Sequence, residues 1–180
     1  MLYLASKLSW KSEPVAIPGC RKGRFDMPGD TTNGHDPFNL ERFVEAQRDT
    51  YETACQELAA GAKSSHWMWF VFPQLRGLGA SETSRFYGIG SLAEATAYLG
   101  HPILGPRLRR AVALVLSVEG RSIGEIMGMP DDLKLRSSMT LFALAGEDDS
   151  IFLQVLDRYF GGKKDEATLG LLRLSTDDQT

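Results

Sequence analysis

Apolar and polar positions recur along most of this chain every three to four residues, and the period breaks at Gly and Pro. Leu40, Val44, Gln47, Tyr51, Cys55 and Leu58 follow such steps and predict one helix. Asp36-Pro37 supplies its start, with Asp as N-cap and Pro at the first helical position, and Gly61 supplies its stop. Ser91 and Glu94 read as a capping box before a short helix that ends near Gly100. Leu104, Leu108, Ala111, Val112 and Val115 stripe a longer helix after His101-Pro102, and Ser122 with Glu125 repeats the capping box for a helix through Met127. Asp131 and Asp132 suit the positive end of a helix that carries Leu135, Met139 and Phe142. Ile151, Phe152, Val155, Leu156, Tyr159 and Phe160 predict a further helix ended by Gly161-Gly162, followed by a short helix around Leu169 and Leu172.

One run has no period. His66-Trp67-Met68-Trp69-Phe70-Val71-Phe72 is apolar on every face, and between Ser64-Ser65 and Pro73 it predicts a short buried helix. Strand alternation is almost absent, and no repeat of 20 to 50 residues occurs. The expected fold is therefore all-α: a compact, orthogonal multi-helix single domain with short helices and glycine-rich turns. It spans 36–172, with a polar tail over 173–180.

Residues 1–35 follow no such pattern and contain Pro14, Pro18, Pro28 and four glycines. They are expected to be a disordered leader, or an over-long gene start whose true initiator is Met27; a basic targeting arm is the alternative. Their net charge is +2 against −3 for the whole chain, so the remainder carries −5. That balance argues against a nucleic-acid partner. A composition 43% apolar and 24% charged excludes a wholly disordered chain and a membrane-spanning one. The N-terminus has neither a charged n-region nor a long apolar core, so no signal peptide or membrane partner is expected. Cys20 and Cys55 form no CxxC pair and point to a reducing, cytoplasmic setting; a bridge between them is possible only on paper, and Cys55 reads as core.

Chemistry is suggested in few places. Gly88-Ile89-Gly90-Ser91-Leu92-Ala93 matches GxGxxA, but no strand precedes it and no acid follows about twenty residues on, so it reads as turns. His35, His66 and His101 are scattered, and no metal ligand set is expected. His66 stands at a helix start, where an acid–base role is conceivable, against the plainer reading of a hydrogen-bonded residue beside an aromatic cluster. Trp67 and Trp69 either stack on a planar ligand or fill the core. Lys63-Ser64-Ser65 offers N–H groups, hydroxyls and a cation at a helix start, a seat for phosphate or carboxylate or an ordinary cap. Helical spacing sets Lys134 beside Ser137 and Ser138, and Arg136 beside Thr140, which suits an anion pocket, a Ser–Lys pair, or close helix packing.

Together SHWMWFVFPQL (65–75), Gly77-Leu78-Gly79, Phe86-Tyr87-Gly88-Ile89, His101-Pro102 and DDLKLRSSMTLF (131–142) resemble a bacterial family of unknown function often labelled "calpastatin". The resemblance covers roughly 36–172 and implies a compact, mainly α-helical domain; it supplies no activity, cofactor or catalytic residue. Because a calpain-inhibiting segment is expected to be disordered, that label does not suit a chain patterned for a core. The two longest motifs are expected to face each other across one pocket. Trp67 and Trp69 form its wall, and Ser65, His66, Gln74, Arg76, Tyr87, Lys134, Arg136, Ser137 and Ser138 its polar lining. An anionic, planar, nucleotide-like small molecule is the expected ligand, with His66 as acid–base if hydrolysis or group transfer occurs. A non-catalytic protein-interaction module is the alternative.

Overall fold

The first helical stripe is interrupted after Gln47. In the computed structural model, which describes residues 36–146 and 150–177, the predicted first helix is two: α1 (Glu41–Gln47) and α2 (Tyr51–Ala59). At the break the Thr50 hydroxyl donates to the Ala46 carbonyl, and the Arg48 N–H closes a tighter turn onto Glu45. The start also differs from expectation. Asp36 precedes the helix by five residues and accepts the Glu41 N–H at 3.1 Å, while Pro37 lies in an intervening turn closed by Asn39 at φ 51°. The expected leader, with Cys20 and His35, lies outside the described residues.

The unpatterned aromatic run forms a single helical turn, α3 (Met68–Val71), that buries Trp67, Met68, Val71 and Phe72. The chain then extends, and Leu75 pairs with Ile89 in an isolated parallel bridge through Arg76 N–H to Ile89 O (2.8 Å) and Ile89 N–H to Gln74 O (2.9 Å). Gly88 permits this crossing, since a Cβ there would stand 2.8 Å from the Ser84 carbonyl and 3.0 Å from the Arg76 Cα. The Gly88–Gly90 stretch is thus a close backbone approach. Between the bridge partners lies α4 (Glu82–Phe86), capped by Ser81.

In α5 (Leu92–Gly100) the expected capping box is half made. Ser91 accepts the Glu94 N–H at 3.1 Å, but the Glu94 carboxylate turns away to the Gly90 N–H (2.7 Å) and to Arg42 (2.6 Å). The box at Ser122–Glu125 is complete and opens α7 (Ile123–Met127). Ahead of it runs α6 (Leu104–Ser117), which buries all five residues of its predicted stripe. After it come α8 (Asp131–Ala145), α9 (Ser150–Phe160) and α10 (Glu166–Asp177), the last extending through much of the expected tail.

The core forms around α8, which packs on α5, α7, α9 and α10, while α6 packs on α2, α5 and α9. Leu135, Met139, Leu141, Phe142, Phe152 and Val155 are fully enclosed there. Each such side chain contributes roughly 1.5–3 kcal/mol before conformational entropy is counted. Gln47, the polar member of the first stripe, is also buried and donates to the Phe70 carbonyl (2.7 Å) and the Tyr98 hydroxyl (3.1 Å). Cys55 is a buried free thiol. The domain is all-α, and among the described residues no helix is long and apolar enough to cross a membrane.

Candidate functional site

The tryptophan segment and the start of α8 do meet. Lys134 Nζ lies 4.6 Å from the centre of a Trp69 ring, and Lys63 Nζ lies 5.0 Å from a Trp67 ring. Asp131, first residue of α8, joins the two cations, with one carboxylate oxygen 2.6 Å from Lys63 and the other 2.6 Å from Lys134. Burial pushes the Asp131 carboxyl up, but Lys134 and Lys63 outweigh it and hold the carboxyl below its ordinary range. Lys63 also donates to the Ser65 carbonyl at 2.8 Å.

The expected anion seat at Lys63-Ser64-Ser65 is filled from within the protein. Glu57 on α2 accepts from the Ser64 N–H (2.9 Å), the Ser64 hydroxyl (2.8 Å), the Ser65 N–H (3.1 Å) and the Trp67 indole (2.8 Å). Burial raises its carboxyl, yet these donors prevail and hold it down at about 2. Ser138 lies on the same face of α8 as Asp131 and Lys134; its hydroxyl is buried without a hydrogen-bond partner.

The remaining expected residues are placed elsewhere. His66 is exposed on the turn before α3. Ser137 bonds back to the Leu133 carbonyl at 3.2 Å, the ordinary helical habit of a hydroxyl. Arg136 turns to the chain entering α10 and donates to the carbonyls of Lys163 (3.0 Å) and Lys164 (2.7 Å), beside the Thr140 hydroxyl that accepts the Asp165 N–H. Gln74 serves the backbone bridge, and Tyr87 packs among Phe43, Phe70 and Phe86.

Of the expected lining, Arg76 stands in a cleft. The cleft measures about 510 Å³ and is lined by Phe38, Asn39, Arg42, Arg76, Arg85 and Phe86. Its floor is the ion pair of Arg42 with Glu94 at 2.6 Å, each side chain only 6% exposed. Arg42 further donates to the carbonyls of Asn39 (2.7 Å) and Phe86 (3.0 Å), so one buried cation ties α1 to the end of α4 and to α5. At the rim, Arg76 donates to the Gly88 carbonyl at 3.2 Å, and Arg85 is exposed. Neither has a carboxylate within ion-pairing distance among the described residues. Phe86 is 56% exposed.

A family model for proteins of unknown function, DUF1810, matches residues 37–172. The chain belongs to that family. Its structural likeness includes the crystal structure of the conserved hypothetical protein Rv1873 from Mycobacterium tuberculosis, with 57% sequence identity and a TM-score of 0.76. The alignment covers 77% of this chain and 99% of that one. No curated protein matches the chain.

The cleft of this DUF1810 domain rests on residues that sequence reasoning missed: Asn39, Arg42, Arg85, Phe86 and, beneath them, Glu94. Arg42 and Glu94 are 52 positions apart, and nothing in the local pattern of either announces the other. The one legible signal is Arg85 next to Phe86-Tyr87-Gly88, a cation beside aromatic residues and a glycine that a close backbone approach requires.

Proposed function

We propose that this domain binds an anionic small molecule with a flat, apolar part, and that it does so in the arginine cleft. The observation that carries the reading is the state of Arg76 and Arg85. Two guanidinium groups face one concavity beside an exposed aromatic ring, and among the described residues no carboxylate lies within ion-pairing distance of either. A planar guanidinium fork matches carboxylate and phosphate oxygens in pairs, and a cleft of this size lies within the usual range for small-molecule sites. At the tryptophans, by contrast, a ligand anion would have to displace Asp131 or Glu57 from cations and N–H donors already bound. The expected ligand class and Arg76 are therefore kept, and the site moves from Lys134 to Arg85.

The lining provides charge, an amide and aromatic edges, which are groups for binding and orientation, so hydrolase or transferase chemistry through His66 is not part of the reading. Thermal unfolding of the full chain titrated with citrate and with inorganic phosphate at fixed ionic strength tests it. Ligand at about 100 times its Kd is expected to add about 2.7 kcal/mol of stability, and Arg76→Ala/Arg85→Ala to abolish the effect. Equal stabilisation of the double variant would sink the proposal. The interaction-module reading draws support from Met129 (83% exposed) and Leu133 (54% exposed), apolar neighbours at the start of α8.

A further inference from the structure

We infer that the anionic group this cleft takes is a phosphate monoester carried on a flat ring system; this rests on the proposed function and narrows it. Charge is the first argument. Arg42 is already matched by Glu94, none of the six lining residues is acidic, and Arg76 with Arg85 leaves two positive charges facing the cleft. A phosphate monoester carries roughly −1.5 to −2 at neutral pH, close to that count, whereas a single carboxylate supplies half of it. Geometry is the second. A terminal phosphate has three oxygens to share between two guanidinium forks, while one carboxylate satisfies one fork.

The ring follows from Phe86. An exposed phenyl is held in place here, edge to face against Tyr87 at 4.9 Å and 85°, so it offers a fixed aromatic surface at the cleft wall. Asn39 completes the set. It adopts the left-handed conformation at φ 51° without being glycine, and it lines the cleft with a side chain able to donate to and accept from the polar edge of a ring or sugar. Strained backbone conformations of this kind gather at ligand sites. Nucleotides and aryl phosphates both present this chemistry, and the experiment separates them.

Isothermal titration of the full chain at fixed ionic strength would compare adenosine 5′-monophosphate and phenyl phosphate with adenosine, inorganic phosphate and succinate. Both ring-bearing monoesters are expected to bind about tenfold or more tighter than the other three, and the tighter of the two identifies the source. Phe86→Ala is expected to bring adenosine 5′-monophosphate down to the level of inorganic phosphate while leaving inorganic phosphate unchanged. Protonation of the phosphate, with its second pKa at about 6, should weaken binding as pH falls from about 7.5 to about 5. Succinate binding as tightly as the monoesters, still dependent on Arg76 and Arg85, would overturn the phosphate inference and leave anion binding standing. Adenosine binding as tightly as its monophosphate would overturn the phosphate inference as well. If none of the five binds, both readings fail.

Discussion

The start of α8 and the arginine cleft are assembled from the same materials, cations beside aromatic rings, and they end in opposite electrostatic states. At α8, Lys63 and Lys134 share Asp131, each ammonium rests against a tryptophan, and Glu57 gathers the Ser64 and Ser65 N–H groups of the loop before α3. In the cleft, one arginine is buried and matched, while two more stand at the rim with no carboxylate in ion-pairing distance among the described residues. Cations next to aromatics therefore do not mark a ligand site by themselves. What distinguishes the two regions is whether the chain supplies the counter-charge. The cleft also shows the two states side by side, since Arg42 holds the fold and its neighbours face solvent.

That division can be broken most sharply at Arg42. Arg42→Ala would leave the Glu94 carboxylate in place, 6% exposed, with the Gly90 N–H as its remaining partner, and would release the carbonyls of Asn39 and Phe86. An uncompensated buried charge of this kind costs about 3–5 kcal/mol, which urea unfolding would read directly. A loss below about 1 kcal/mol would place Arg42 with the surface charges and erase the distinction between floor and rim.

The next largest effect is expected at Glu57. Glu57→Ala strips one acceptor from two backbone N–H groups, a hydroxyl and the indole of the buried Trp67, and should cost about 2–3 kcal/mol near neutral pH. Its sign with pH is fixed by the direction of the shift. The folded carboxyl is held at about 2 against an ordinary 4.5, so its stabilisation is complete above pH 4.5 and is lost as pH falls toward 2. The gap between the native protein and the variant should therefore close over that acid interval. A gap that stays constant with pH would mean that Glu57 acts through packing and not as the internal anion of the loop before α3.

Most of the fold, and half of the logic of the closed region, is legible in the amino-acid sequence. The stripes of α6 and α9, the glycine stop at 161–162 and the capping box at Ser122 follow from local spacing, and each is realised. The meeting of the tryptophans with Lys134 is legible too, because aromatic faces and cations have few other uses at such density. Features that depend on a distant partner are not. Glu94 carries a perfect local signature for a reciprocal cap and abandons it for Arg42, since a buried guanidinium outweighs one exposed N–H. One expected helix is two, and the tighter turn that separates them, closed by the Arg48 N–H on Glu45, is not recorded by periodicity. The cleft is least visible of all. It depends on the Leu75–Ile89 bridge and the missing Cβ of Gly88, which bring Arg76 beside the end of α4, and on Arg42, which ties α1 to the same place.

The smallest expected difference is also the one that tests the comparison most directly, a pair of single truncations. Lys134→Ala removes a cation that pairs with Asp131 at 2.6 Å and covers the Trp69 face at 4.6 Å, with a side chain 24% exposed. Arg85→Ala removes a cation from an exposed rim position that has no ion-pair partner among the described residues. The first should cost about 1 kcal/mol, the sum of a partly screened ion pair and a cation–aromatic contact. The second should stay within about 0.5 kcal/mol of the native protein. The ordering has a cause: Asp131 and Trp69 are left behind when Lys134 goes, whereas among the described residues Arg85 has no carboxylate partner to leave behind. Should Arg85→Ala prove the more damaging of the two in urea, the rim arginine would be a structural residue like Arg42, and the open state of the cleft would no longer separate it from α8.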